Sequence, residues 1–572
     1  MSSAENELKR LTRREFVKGS AAGGVAGLVV GAGGTGLIMN ASAKPWLPKK
    51  WDYEADVVVV GTGYAGQNAA IASHDAGASV LVLEKAPERF AGGNSGVSGG
   101  GSTIPLNVPD AIKYYRSLCF GTVPEDLCVV MAEAMAKVPE QLKKIGIEVS
   151  TRRFPSGVFP AAPSGAPART PSGAPPQAPA ARPRSGLSLL PGSGNFSIYY
   201  IVPSGDADPR MGAGQLLYLT LKKCSVSRGI KFLYETPAKK LIQDPETKAI
   251  LGVVAEAQGK NIYVKAKRGV VLACGGYETN HEMLGYFNYP GLKIYQWGTP
   301  YNSGDGIKMA VDIGAALWHL FSIEWIAPSI KAPSEQYGVS VQVSTGYGAP
   351  SGFIFANKYG KRFMNELKNL GHNKESLELT YFSQERVEYP NNPFYLVFDE
   401  TLKTKQPLSS SGGMGGRMTW NGVHGVYKWS ADNNAEIEKG WIIKADTIKE
   451  LAARIPMDAA GLEGTIAKYN EYCRSRKDAE FDRRKESLLP IKTPPYYAME
   501  LALTCINTQG GPKHNGKAQT LDTEDKPIPR LYSAGELGSF FGFLYPGGSN
   551  IPEAIAFGRI AGENAAAEKA WS

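Results

Sequence analysis

Little in this 572-residue chain is arranged to hold a metal or a haem. The six cysteines (Cys119, Cys128, Cys224, Cys274, Cys473 and Cys505) include no C-x-x-C and no C-x-x-C-H, so no haem attachment, zinc site or iron–sulfur site is readable. Their scattered positions on apolar segments favour buried thiols over disulfides. Histidine is equally sparse. His74, His281, His424 and His514 are singletons without metal spacing, and His319, in Leu317-Trp318-His319-Leu320, reads as a core histidine on an apolar helix. There is no basic run: 63 basic against 54 acidic side chains leave +9 over a long chain, a bias too mild to indicate nucleic-acid binding. No long-period repeat is present, and the length suits two or three domains.

A long hydrophobic run is missing too. The stretch from Ala21 to Met39 is only weakly apolar, and its seven glycines between Gly23 and Gly36 make a poor membrane span. What precedes and follows it is more telling. Arg13-Arg14-Glu15-Phe16-Val17-Lys18 is a twin-arginine motif, and Ala41-Ser42-Ala43 is an A-x-A cleavage pattern. Residues 1–43 are therefore expected to be a twin-arginine signal peptide read by the twin-arginine translocase, with a retained anchor as the alternative. The mature chain would carry +7 and work in the periplasm, or on the outer face of the cytoplasmic membrane, of a prokaryote.

The most informative segment is Ala55-Asp56-Val57-Val58-Val59-Val60-Gly61-Thr62-Gly63-Tyr64-Ala65-Gly66, an apolar strand running into G-x-G-x-x-G. A helix of small residues, Gln67 to Ala76, follows it. A second strand, 78–83, then ends on Glu84. Gly61 permits the tight turn, Gly63 lets the backbone approach a pyrophosphate, and Gly66 lets helix and strand pack closely. The helix N-terminus offers N–H groups to phosphates, and Glu84 can accept hydrogen bonds from ribose hydroxyls. Next, Gly92-Gly93-Asn94-Ser95-Gly96-Val97-Ser98-Gly99-Gly100-Gly101 leaves no room for side chains, as expected where backbone meets a flat ring.

Further along, a helix is expected from about Glu125 to Ile145. A Pro/Ala/Gly/Ser-rich loop runs over 154–191, a lid at the substrate mouth or an inert insertion, and is expected to be mobile. Gly269 to Gly276 reads as a buried strand ending in Gly-Gly. Thr299 to Gly306 leads into a helix. Over about 322–506 the chain is mixed, with a strand at 353–355 and a helix over 463–473. At the end, Leu531 to Glu536 reads as strand and glycine, and Tyr545-Pro546-Gly547-Gly548-Ser549-Asn550-Ile551 opens a helix through Ala566.

Five of these segments together resemble the fumarate reductase/succinate dehydrogenase flavoprotein family, which includes the ketosteroid dehydrogenases. They are the G-x-G-x-x-G with Glu84; Gly92-Gly93-Asn94-Ser95; Ala273-Cys274-Gly275-Gly276; Gly360-Lys361-Arg362-Phe363-Met364-Asn365-Glu366; and Ala534-Gly535-Glu536 through Gly558-Arg559-Ile560-Ala561-Gly562. The resemblance implies an α/β fold: a Rossmann-like FAD-binding domain built from two chain segments (44–321 and 507–572) with an inserted α+β capping domain (322–506). It implies FAD held by Gly61, Gly63, Tyr64, Ala65 and Gly66, then Glu84 and Lys85, and then Gly92, Gly93, Asn94, Ser95, Ser98, Gly99 and Gly100. Ala273, Gly275 and Asp305 follow, with Gly535, Glu536, Gly548, Ser549, Asn550 and Ile551 completing the set. The helix opening at Gly547–Ile551 would aim its N–H groups at the flavin. Members with covalent FAD attach it through a histidine. The matching position is Asn94, so non-covalent FAD is expected.

At the positions that handle substrate, the chain departs from fumarate reductases. Counting without gaps from Arg362, the family's proton-donating arginine falls on Leu370. A second arginine falls on Tyr545, one histidine falls on Asn507 and another on Ala327. Thr345 matches, but its acidic neighbour is Gly346. A dianion held by Leu, Tyr, Asn and Ala would lack charge-assisted partners. Tyr545-Pro546-Gly547 is similar to the Tyr-Pro-Gly of ketosteroid dehydrogenases, although their catalytic tyrosine also falls on Leu370. His372 is the candidate proton donor, helped by Tyr381, with Tyr545 as donor to a developing oxyanion; a solvated loop histidine is the alternative. Arg362 reads as a structural ion pair or a flavin-domain contact rather than a catalytic group.

The expected activity is reduction of an activated C=C bond of a small organic acceptor, with electrons from a separate protein, a cytochrome or FMN carrier. A ketosteroid-type dehydrogenase, a fumarate reductase proper and a non-catalytic FAD-binding protein are the alternatives.

Overall fold

The computed structural model describes residues 46–151, 187, 189–203, 208, 211–331, 340–343, 352–367, 377–409 and 417–571. The chain divides into two units, Met1–Leu47, of which only Trp46 and Leu47 are described, and Pro48–Ser572, to which everything below refers. The twin-arginine segment, nearly all of the Pro-rich loop, Thr345, Gly346, Leu370 and His372 lie outside the described residues. No helix among the described residues is long and apolar enough to cross a membrane.

The apolar run beginning at residue 55 forms β1 (Tyr53–Val60), which leads into α1 (Tyr64–Asp75) and β2 (Val80–Leu83). Four consecutive valines, buried on both faces, suit a central parallel strand. β1 pairs in parallel with β2 on one side and with β3 (Lys260–Leu272) on the other. The sheet continues from β2 to Lys231–Leu233 and from β3 to Pro527–Ser533, both parallel, with Gln519–Leu521 at the edge. The last two strands come from the far end of the chain, so this eight-stranded sheet is assembled from two separated segments. Helix α2 (Asn550–Ala567) packs on α1 through glycines. A Cβ at Gly558 would meet the Ala65 carbonyl oxygen at 2.3 Å, and one at Gly562 would meet that of Ala69 at 2.3 Å.

A second, seven-stranded sheet is organised around β4 (Tyr496–Thr508). Its path runs Ser340–Gln342, Ile323–Lys331, β4, Phe394–Asp399, Phe353–Ala356, with Ile294–Gln296 and Ile442–Ala445 also pairing with β4. Period-two alternation splits its side chains. Ile354, Ala356, Tyr395 and Val397 pack against helices at Ile448–Ala453 and Ala459–Ser475, while Phe353, Phe355, Phe394 and Leu396 join the core shared with the first sheet. This sheet takes in Ile294–Gln296, ahead of the cap boundary expected at 322, and β4 runs past 506 to Thr508.

Other local expectations shift for identifiable reasons. The helix expected over 125–145 is two helices, Glu125–Ala136 and Val138–Lys144, because Pro139 cannot donate to the preceding turn. A further helix, Val108–Cys119, starts at an Asn107 cap with proline in its first turn. His319 is not helical: it follows the short strand Leu317–Trp318 at φ 57° and stacks on Trp318 at 4.3 Å. Its Nδ1 lies 2.8 Å from the Ser539 carbonyl oxygen, and burial lowers its pKa to about 4, so it is a neutral packed histidine. All six cysteines are free thiols.

Candidate functional site

The carboxyl ends of β1, β2, β3 and Pro527–Ser533 all reach one edge of the first sheet, where ligands bind in open α/β folds. A cavity of about 300 Å³ opens there. Its wall includes the turn after β1 (Gly61, Gly63, Tyr64, Ala65), the end of β2 (Glu84, Lys85), and Gly92, Gly93, Asn94, Ser95, Ser98, Gly99 and Gly100. Ala273, Gly275, Asp305, Gly535, Glu536, Gly548, Asn550 and Ile551 complete the expected set that lines it. Gly66 and Ser549 stand behind the wall. Gly61 takes φ 103°, and a side chain there would strike the Ala273 carbonyl oxygen at 2.3 Å; at Gly66 a Cβ would lie 2.0 Å from the Gly61 carbonyl oxygen. The motif is therefore glycine where strand and helix touch, as its spacing predicts.

The polar groups of the wall are already oriented. Glu84 Oε1 accepts from the Ala86 N–H (2.8 Å), while Oε2 accepts from the Thr62 N–H (3.1 Å) and the Thr62 hydroxyl. Ser95 Oγ accepts from the Tyr64 N–H at 2.9 Å. Lys85 donates to Asp305 and to Ser303, both at 2.6 Å, so two expected cofactor contacts form an ion pair with each other. Lys85 is the only cationic side chain among the described lining residues.

Asn94 is the hinge of a buried polar cluster. Its Oδ1 accepts from the Thr299 N–H (2.9 Å), and its Nδ2 donates to Glu278 (2.7 Å) and Glu536 (3.1 Å). Asn302 and Thr508 also donate to Glu278, at 2.8 and 3.3 Å. Burial pushes both carboxyls above their ordinary range, and the charge of nearby Glu278 raises Glu536 further. Nearby, Glu553 accepts from the Phe540 N–H (2.6 Å), Ser539 Oγ (2.8 Å) and Asn550 Nδ2 (3.2 Å), and burial pushes it up to about 7.

Tyr545 lines the cavity and is buried. Its hydroxyl oxygen accepts the N–H groups of Ser549 (3.0 Å) and Asn550 (3.2 Å), capping α2 from four residues ahead. This corrects one expectation: two N–H groups foreseen as facing the flavin are taken by the tyrosine, and Pro552 has none to offer. Burial holds the pKa of the Tyr545 hydroxyl above the ordinary value, so it is a donor and not a base. Tyr381 is 56% exposed and is not among the lining residues, so the structure does not bring it to the cavity. Arg362 is far from it in role as well. Its guanidinium grips Glu366 (2.7 and 2.8 Å) and Asp478 (3.2 and 2.8 Å) in the second sheet's core.

Several lining residues carry no sequence signal: Thr236, Trp297, Tyr301, Met418 and Ile506. They arrive from strand ends and loops distant in sequence. The set fits FAD. Glycines bare the backbone around Gly63, the N-terminus of α1 opens there with the Tyr64 N–H already bonded to Ser95 Oγ, and Glu84 stands at the end of β2.

Residues 56–551 match the family described as FAD binding domain. A probable fumarate reductase of Shewanella frigidimarina is 27% identical over 522 residues, 89% of this chain and 74% of that protein. A 3-oxosteroid 1-dehydrogenase of Mycolicibacterium smegmatis is 28% identical over 585 residues, 91% of this chain and 98% of that one. The crystal structure of the 3-ketosteroid delta1-dehydrogenase from Sterolibacterium denitrificans superposes with a TM-score of 0.70 at 25% identity, covering 90% of this chain and 99% of that one.

Proposed function

The chain belongs to the FAD binding domain family and is an FAD-dependent oxidoreductase acting on C=C bonds, and from that premise we propose that it reduces an activated alkene of a neutral or aryl organic acceptor. When bound, FAD supplies two-electron transfer to or from the reacting carbon pair. The observation that carries the reading is the composition of the cavity wall. Beyond Lys85, which Asp305 already neutralises, the described lining holds no lysine, arginine or histidine. Among the described lining residues, a dianion such as fumarate finds no further charge-assisted bond to repay its desolvation.

The chain's own residues divide the work. Tyr545, kept protonated by burial, donates toward an oxygen on which negative charge develops. His372 is the proton donor to carbon in this reading. Electrons come from a separate cytochrome or FMN carrier, since the sequence holds no haem or iron–sulfur motif and no second nucleotide-binding motif. The twin-arginine motif supports export after the cofactor has been acquired.

The reading is tested by anaerobic oxidation of reduced methyl viologen with fumarate, urocanate, an aryl-propenoate and a 4-ene-3-ketosteroid. Turnover of a neutral or aryl acceptor without fumarate is expected; robust fumarate turnover would overturn it. His372→Ala should lower kcat about 100-fold at unchanged FAD content; near-normal turnover would remove the histidine from the mechanism. The Tyr545-Pro546-Gly547 segment and the likeness to steroid dehydrogenases favour a second reading, dehydrogenation of a cyclic ketone. Silence across the alkenes, with reduction of the flavin by a saturated 3-ketosteroid, would select it.

A further inference from the structure

Two buried N–H donors on the cavity wall have no acceptor within the protein. The indole Nε1 of Trp297 and the amide Nδ2 of Asn507 make no hydrogen bond. Their residues are 4% and 3% exposed, and both line the cavity. Both residues are anchored by the second sheet. The Trp297 N–H donates to the Cys505 carbonyl (3.0 Å), its own carbonyl accepts from the Trp420 N–H (3.1 Å), and Met418 and Ile506 pack on its ring. Asn507 is held in β4, in register with Glu324. An indole nitrogen can only donate, as can the NH₂ of an amide. A buried donor left unpaired costs about 1–3 kcal/mol, so the arrangement calls for acceptor atoms on a guest.

The guest could be cofactor or substrate, and the affinity of the protein for each distinguishes them. The dinucleotide fingerprint sits on the edge of the first sheet. Both orphan donors come from the second, Trp297 just beyond the strand Ile294–Gln296 and Asn507 on β4. We propose that Trp297 Nε1 and Asn507 Nδ2 hold the carbonyl-type oxygen of the organic acceptor, and that Trp297 is a specificity-determining residue for a neutral substrate. This rests on the reading of the cavity as an alkene site. Neutral N–H donors satisfy a ketone or ester oxygen in full, whereas each charge of a dianion needs a cation to offset its desolvation.

The test uses the oxidised holoprotein, titrated with a 4-ene-3-ketosteroid, an aryl-propenoate ester and fumarate, and followed by perturbation of the flavin absorbance. Trp297→Phe keeps the ring and removes the N–H. It should weaken the neutral ligand about 10-fold or more while leaving the FAD dissociation constant unchanged. Asn507→Leu carries the same expectation, should the tryptophan variant fail to fold. Unchanged ligand affinity in both variants would overturn the proposal. So would a matching loss of FAD affinity, which would give the donors to the cofactor, and so would a wild-type flavin that no carbonyl ligand perturbs. Ligand binding weakened by Trp297→Phe in an enzyme that turns over no alkene would sustain the donor pair while overturning the reduction reading.

Discussion

Two sets of buried carboxylates in this molecule are treated in opposite ways. In the core of the second sheet, Glu366 and Asp478 face Arg362, and Glu366 also meets Arg483 at 3.3 Å. Burial pushes Asp478 up, but the Arg362 bonds and charge outweigh it and hold the carboxyl below its ordinary value. Beneath the cavity, Glu278, Glu536 and Glu553 receive hydrogen bonds from neutral groups instead: Asn94, Asn302, Thr508, Ser539, Asn550 and the Phe540 N–H. Their carboxyls move the other way, upward. The first set is a clamp on Arg362 in which the guanidinium favours the carboxylate form of Asp478. The second carries protons into the interior beside a site where charge changes during turnover. The same residue type thus serves stability in one place and electrostatic tuning in the other, and the partner decides which.

The comparison breaks most sharply at Arg362. Arg362→Met leaves Asp478 buried without its partner, and denaturant unfolding should show a loss of about 3–5 kcal/mol. The flavin spectrum of the folded fraction should not move; a changed spectrum would tie the clamp to the cavity.

Glu553 should show the next largest effect. Burial pushes the folded carboxyl up to about 7, against an ordinary glutamate value of about 4.5 in the unfolded chain, so between those values the folded state binds more protons. Its contribution is complete below the lower value and is lost as pH rises through the upper one. Stability should therefore fall from pH 5 to pH 8, and Glu553→Gln should flatten that fall by roughly 3 kcal/mol. An unaltered slope would mean that Glu553 is ionised in the folded protein.

Tyr545→Phe should cost least, about 1 kcal/mol, because the helix keeps its turns and loses only a cap. The same variant should lower kcat for a ketone-bearing acceptor about 10-fold or more while binding it almost normally, separating the capping bond from donation to the substrate. A loss of stability without a kinetic effect would reduce the tyrosine to a cap.

Much of the cofactor end was legible along the chain, because a strand, a glycine turn and a helix are contiguous and their spacing is set by backbone geometry. Gly61, Gly63 and Glu84 lie where that spacing puts them. Arg362 was legible only as an ion pair or a flavin-domain contact; its bonds to Glu366 and Asp478 decide for the ion pair. The polar cluster was not legible, since Asn94 joins Glu278 across 184 residues and Glu536 across 442. Nor was Trp297, an apolar-looking residue until its indole N–H is found without a partner. Tyr545 could be picked out from its neighbours Pro546 and Gly547, but not its bonds to Ser549 and Asn550. Tyr381 shows the reverse error: closeness in sequence to a candidate proton donor did not bring it to the cavity.

By itself, the order of residues carried the dinucleotide fingerprint and the motifs whose resemblance implied the family, FAD and a two-segment binding domain. The fingerprint depends on short-range spacing: glycines where backbone meets backbone, valines where a strand is covered on both faces. Tertiary structure alone decided which carboxylates are paired with cations and which keep a proton, and which N–H donors the fold leaves unanswered on the cavity wall. Those properties belong to the space between elements, where burial and the nearest partner, rather than position in the chain, set the energy of a charge or a hydrogen bond.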